Sequence, residues 1–327
     1  MLTLDVSHLK EKKNLLAFSA GVDSSALFFL LLDHNIPFDI ALVNYGTRDS
    51  SETEELHAKD IAKQYNLTCH TIKAPLFTTH FEQNARNFRY DFFEKLIEER
   101  HYDTLLTAHQ LNDQLEWLLM RLTKGAGISE LIGLEKISER EHYSLVRPLL
   151  EYSKEELLTY LQHKSYPYFE DESNSDEKYE RNLFRKQFSD PLMSKYKEGI
   201  QRSFDYLRAD KKQLEANFER IYTQKELRII KLHTLSCKAK ATDMALKELG
   251  YLLSASQRQE IENRSSLVIG GTWAVELRAD LLYIAPYLRT DMPKKFKEAC
   301  RVAKVPNKIR PYIFKENINP SLLTTHC

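Results

Sequence analysis

The chain has 327 residues, enough for one to three domains and a sizeable core. Apolar residues make up 42% and charged residues 29%, an ordinary globular balance, and no run approaches the roughly 18–20 apolar residues of a membrane span. Net charge is zero, yet residues 1–200 carry 24 Lys and Arg against 33 Asp and Glu, while residues 201–327 carry 23 against 14. The start, MLTLDVSHLKEKK, has neither a basic-then-apolar order nor a small-residue cleavage site, so a cytoplasmic protein is expected. Cys69, Cys237, Cys300 and Cys327 stand singly, and without a CxxC pair neither a disulfide framework nor a zinc or iron–sulfur site is suggested.

In chain order, Leu15–Phe18 reads as a buried strand, Ser19-Ala20-Gly21-Val22-Asp23-Ser24 as a tight turn, and the run from Ala26 to Leu32 as an apolar helix. A strand, a small-residue turn and a helix N-terminus make an anion cradle, because first-turn amides and the positive dipole end face the loop. No Lys follows Gly21 as a Walker loop requires, and no GxGxxG is present. Further strands are predicted at Phe38–Val43, Thr68–Lys73 and Thr104–Ala108, with helices at Ser51–Tyr65, Asn84–Glu99 and Leu111–Leu122. This alternation predicts an α/β protein with a doubly wound parallel sheet, whose ligands sit beyond the strand C-termini near Ser19, Asn44 and His109. Residues 151–187 read as a substrate-facing extension. A long helix is predicted from Ser203 to Tyr222, leading into a smaller basic α+β part. The domain plan is therefore 1–200, a linker helix at 201–222, and 223–327.

Two clusters carry candidate chemistry. Asp113 and Glu116, three apart, share a helix face near its N-terminus and suit either Mg²⁺ beside phosphates or a substrate amine. The densest basic stretch, Lys294 to Arg310 with Lys294, Lys295 and Lys297 at its head, can follow a phosphate backbone or form a solvated charged face.

SAGVDS resembles the SGGxDS loop of the PP-loop ATP pyrophosphatases. Thr107-Ala108-His109-Gln110-Leu111-Asn112-Asp113-Gln114-Leu115-Glu116 is similar to the TAHHxDDQxET segment of the tRNA(Ile)-lysidine synthases. In the same order Asn44–Arg48 resembles their VNHGLR turn, Asn84–Tyr90 their ARxxRY helix, Arg147–Leu150 their RPLL, and Glu170–Asn174 with Tyr179–Arg185 their EDxSN…RNxxR segment. Residues 220–327 resemble the family's tRNA-binding part only in length, basic character and the turn Gly270–Trp273. Four departures stand out. Ala20 replaces a Gly, and its Cβ is expected to keep the backbone there out of positive φ. Tyr45 and Gln110 replace histidines, and Asn112 replaces the first Asp of the pair.

The resemblance implies lysidine synthesis. ATP adenylates C2 of the wobble cytidine in a CAU-anticodon tRNA(Ile), and L-lysine then displaces AMP. ATP and Mg²⁺ are the implied cofactors. It implies ATP binding by Ser19, Ala20, Gly21, Val22, Asp23, Ser24 and Asn44, and catalysis by Asp23, Asp113, Glu116 and His109, with Asp113 on the metal. Arg86, Arg89, Arg181, Arg185, Lys294, Lys295 and Lys297 are candidate tRNA or phosphate contacts, and the four arginines are equally suited to ion pairs with nearby acids. His109 faces ATP in this reading, with a structural His as the alternative. A homodimer stays open, and no membrane partner is expected. The rival readings are another PP-loop tRNA enzyme such as a thiolase, against which the lack of CxxC counts, and a nucleotide- and tRNA-binding protein without catalysis.

Overall fold

The computed structural model describes residues 2–46, 50–77, 79–169 and 180–323. The chain divides into two compact units, Met1–Arg208 and Ala209–Cys327. The Glu170–Asn174 motif, Tyr179, and Thr47 and Arg48 of the second-strand turn lie outside the described residues.

The first unit is built on a six-stranded sheet: β1 (Asn14–Ala17), β2 (Phe38–Asn44), β3 (Cys69–Lys73), β4 (Thr104–Leu106), β5 (Ile137–Glu139) and β6 (Ser144–Val146), in the order β3-β2-β1-β4-β6-β5. All pairings are parallel except β5 with β6. The direction of winding reverses at β1, whose neighbours are β2 and β4, and such a switch point opens a crevice beyond the strand C-termini. Helix α1 (Val22–Asp33) is apolar nearly all round, with Leu27, Phe28, Leu30 and Leu31 buried. One side faces the sheet core. The other meets α6 (Lys154–Lys164), where Tyr160 donates to Asp33 at 2.9 Å and Tyr166 stacks on Phe29 at 3.7 Å. Each buried Leu or Phe contributes about 1.5–3 kcal/mol, which rigidly seats the N-terminus of α1. Helices α2 (Ser50–Gln64), α3 (Phe81–Arg100), α4 (Leu111–Leu122), α5 (Ile128–Ile132) and α7 (Glu180–Phe184) complete the unit.

Helix α8 (Asp190–Glu215) corrects one sequence expectation. The helix predicted for Ser203–Tyr222 starts earlier and ends at Glu215, and Phe218–Gln224 is strand β7. Asn217 closes the helix through its side-chain amide, which donates to the Gln213 carbonyl at 2.9 Å. In the second unit β7, β8 (Leu227–Leu232), β9 (Ser266–Ile269), β10 (Trp273–Arg278) and β11 (Leu281–Pro286) form an antiparallel sheet in the order β7-β8-β11-β10-β9. Helices α9 (Lys238–Glu248) and α10 (Ala255–Asn263) bury Leu246 and Ile261 against Ile230, Val275 and Ile284. On the opposite face α11 (Lys294–Val302) and α12 (Arg310–Lys315) bury Cys300 and Ile313 against Ile229 and Tyr283. No helix among the described residues is long and apolar enough to cross a membrane.

Candidate active site

The turn after β1 holds its shape through local bonds. The Ser25 amide donates to the Gly21 carbonyl at 2.9 Å and closes the first turn of α1, so the amides of Val22, Asp23 and Ser24 precede the helix ladder. Ser24 Oγ lies 3.1 Å from Ser19 Oγ, accepts the Ser19 amide at 3.2 Å and donates to the Gly21 carbonyl at 3.2 Å. Ala20 overturns the expectation for its backbone: its φ is +60°, in the left-handed region, while Gly21 has φ −73°. The Ala20 carbonyl accepts Ser25 Oγ at 3.1 Å and the Phe169 amide at 2.9 Å, and its methyl is fully buried. These contacts over-determine the torsion, at a cost of about 1–2 kcal/mol for an L-residue.

The cradle opens on a 260 Å³ cleft lined by Phe18, Ser19, Asp23 and Ser24 from the β1 side. Val43 and Tyr45 line it from β2, Arg89, Tyr90 and Phe93 from α3, and Thr107, His109, Asp113 and Arg181 from beyond β4. Most of the predicted cluster therefore meets at the switch point. Asn44 does not line the cleft: it is buried, donates to Glu55 at 2.8 Å and accepts the Gly46 amide at 2.9 Å, so it shapes the turn. The lining residues that sequence reasoning missed, such as Phe18, Val43 and Thr107, sit at or beside strand C-termini, where the predicted topology already pointed.

Asp23 is the exceptional acid. Its Oδ1 is buried without a hydrogen-bond partner among the described residues, and burial, reinforced by Asp113, pushes its carboxyl up to about 7. His109 is pushed down to about 3, chiefly by burial and then by the charges of Arg147, Arg181, Arg89 and Arg86, so it is neutral at pH 7. Its Nδ1 lies 3.0 Å from Thr107 Oγ1.

Helix α4 carries the carboxylate pair. Gln110 is its N-cap: Gln110 Oε1 accepts the Asn112 amide at 2.6 Å, and Asp113 Oδ2 accepts the Gln110 amide at 3.0 Å. The remaining oxygens face arginines. Arg181 donates through Nη2 to Asp113 Oδ1 at 2.6 Å and through Nε to Glu116 Oε2 at 2.8 Å. Arg185 donates through Nε to Glu116 Oε1 at 2.5 Å and through Nη2 to Glu116 Oε2 at 3.2 Å. The Glu116 side chain is only 1% exposed. Arg86 lies over the Tyr90 ring at 4.8 Å, and Arg147 braces the β5–β6 edge through the Glu135 carbonyl at 2.7 Å. Lys294, Lys295 and Lys297 are exposed on α11 in the second unit and are not among the residues lining this cleft. Cys69, on β3, has its thiol pushed up to about 11 by burial.

A PP-loop domain family model matches residues 2–192. Relatives along nearly the whole chain include the tRNA(Ile)-lysidine synthases of Campylobacter jejuni strain RM1221, 44% identical over 97% of each chain, and of Helicobacter pylori strain 26695, 42% identical over 94% of this chain and 91% of that one. Among solved structures, the U34-tRNA thiolase NcsA from Methanococcus maripaludis with its [4Fe-4S] cluster gives a TM-score of 0.51 at 17% identity, covering 61% of this chain and 72% of that one, a likeness of fold alone. The cradle, Asp113 facing it and the 42–44% identity to these relatives along nearly the whole chain agree: the chain belongs to the tRNA(Ile)-lysidine synthase family.

Proposed function

We propose that this chain joins L-lysine to C2 of the wobble cytidine in a CAU-anticodon tRNA(Ile), with ATP cleaved to AMP and pyrophosphate. The observation that carries the reading is the convergence, in one cleft, of the phosphate cradle with Asp113 and Arg181, which joins Asp113 to the buried Glu116 behind it. In the first step the C2 oxygen attacks the α-phosphate and the bond to pyrophosphate breaks. Charge builds on the leaving group, and the Ser19 hydroxyl, braced by Ser24 Oγ, with the Val22–Ser24 amides are the donors that stabilise it. In the second step the lysine ε-amine attacks C2, the C2–O bond breaks, AMP departs with that oxygen, and the amine loses a proton. Its reference pKa of about 10.4 means an acceptor is needed near neutral pH, and Asp113 or Glu116 fills that role once an arginine yields its place. Neutral His109 offers a hydrogen-bonding group without adding charge.

The residues fit a hard cation. Both Asp113 oxygens already accept protein donors, whereas Asp23 Oδ1 is a buried acceptor without a partner among the described residues. Mg²⁺ would be held through Asp23 with Asp113 beside it, relieving their mutual repulsion, and when bound it neutralises charge on the departing pyrophosphate. In the second unit the α11 lysines are the proposed tRNA contact. The test is a pyrophosphate-release assay with Mg²⁺-ATP, radiolabelled lysine and an unmodified CAU tRNA. Label retained in the tRNA, dependent on ATP and on that cytidine, is expected. Pyrophosphate without label transfer points to another nucleophile, and no release from folded protein points to a binding protein.

A further inference from the structure

Asn112 stands between the cleft and the segment that brings in the arginines. It is buried, and every polar atom of its side chain is bonded: Oδ1 accepts the Lys154 amide at 3.2 Å and Nδ2 donates to Asp190 Oδ1 at 3.2 Å. Ser189, fully buried, donates through Oγ to the Asn112 carbonyl at 3.4 Å. The facing segment, Arg185–Ser189, is a π-turn, and the Asp190 amide donates to the Arg185 carbonyl five residues back. Pro191 follows and has no amide to offer the preceding turn, a local reason for an irregular ladder there.

The consequence is a two-rung ladder. On α4 the rung residues Asn112 and Glu116 are four apart and share a face. On the facing segment their partners, Asp190 and Arg185, are five apart, and the wider π-turn brings both onto one face. A regular α-turn would rotate one partner away. Burial of Leu111 and Leu115 against Met193 and Phe204 presses the two segments together but leaves their sliding register open, because apolar contact is not directional.

We propose that the Asn112–Asp190 bond sets the register that delivers Arg185, and with it Arg181, to Glu116 and Asp113, making Asn112 and Asp190 positioning residues for the amine-binding step. The inference rests on the functional reading above for what the acids bind. A carboxylate at 112 would oppose that of Asp190 across one hydrogen-bond length, so Asn112→Asp breaks the rung by repulsion. Asp190→Ala deletes it at an exposed position that does not threaten folding. The double variant Asn112→Asp/Asp190→Asn rebuilds it with donor and acceptor reversed, since the carboxylate introduced at 112 still accepts the Lys154 amide.

The experiment measures KM for lysine and for ATP, melting temperature, and exchange protection of the Arg185 Nε–H by NMR in all three variants and the unsubstituted protein. Expected is a lysine KM raised about tenfold in each single variant, an ATP KM moved less than about twofold, and recovery to within about threefold in the double variant. Folded Asp190→Ala with an unchanged lysine KM, or a double variant that stays impaired, overturns the proposal. If the unsubstituted protein transfers no lysine, the functional reading fails by itself. The NMR arm then decides the register: Arg185 protection lost in the singles and regained in the double supports it, and protection unchanged overturns it.

Discussion

The two walls of the cleft are held by different means. The cradle is a contiguous stretch, Ser19 to Ser25, made mainly of backbone and hydroxyl groups and fixed by the buried helix behind it. The opposite wall joins Asp113 and Glu116 to arginines about seventy residues later, through charged side chains alone. The first wall is braced by its own internal bonds before any ligand arrives. The second is a balanced set of two carboxylates and two guanidinium groups, in which, under the proposed function, a cationic substrate would compete with the resident arginines. In the proposed reaction the rigid geometry would serve the developing phosphate charge, and the ion pairs an amine that must enter and lose a proton.

Removing the one unpartnered acid of the rigid wall is expected to do the greatest damage. Asp23→Ala should lower ATP-dependent turnover about a thousandfold in the pyrophosphate assay, and near-normal rates would remove Asp23 from the phosphate chemistry. Glu116→Gln strikes the other wall, leaving two guanidinium groups against a neutral amide. It should cut lysine transfer about a hundredfold and stability by about 2–3 kcal/mol, below the cost for a fully buried pair because Arg181 is partly exposed. Denaturant unfolding reads the second number, and equal loss of ATP and lysine affinity would erase the distinction between the walls. A change in the second unit sharpens it: converting Lys294, Lys295 and Lys297 to Gln should weaken tRNA binding about tenfold and flatten its log–log salt slope by about 2–3, sparing ATP affinity. An unchanged slope makes α11 a solvated face.

The smallest expected effect is on pH-dependent stability. Because the folded carboxyl of Asp23 is held up at about 7, the native state keeps a proton that the unfolded chain releases above its ordinary value of 3.8. That stabilisation is complete below 3.8 and is lost as pH rises through about 7. Asp23→Asn cannot ionise, so its melting temperature should gain about 2–4 °C on the unsubstituted protein between about pH 5 and pH 8. A constant difference would show that burial does not perturb this group.

The same contrast governs how far the molecule is legible from its sequence. Strands β1 to β4 and helix α4, whose bounds Leu111–Leu122 match the prediction, follow periodicity and caps over short stretches. The cradle is legible because its chemistry is contiguous. Strand β7 reads as helix because an edge strand with Glu219, Arg220 and Gln224 shows little alternation of burial. At Arg181 and Arg185 the residue type is legible and the partner is not: a guanidinium suits phosphate and carboxylate alike, and only the packing of α7 and the π-turn against α4 brings it to the acids. For Asn44 the place at a strand end is legible and its partners are not, since its amide donates to Glu55 on α2 and accepts the Gly46 amide in the turn.

The left-handed Ala20 bears on how this loop drifts in evolution. Exchange for glycine would relieve about 1–2 kcal/mol of torsional strain, add about 0.4–1 kcal/mol of chain entropy to the unfolded state and forfeit about 0.8 kcal/mol of buried methyl. The three nearly cancel, so selection on stability scarcely distinguishes the two residues and either letter can become fixed by chance. The number of glycines in such a loop is then a poor guide to whether it works, whereas the acid at 23 and the serine at 24 have no comparable neutral exchange.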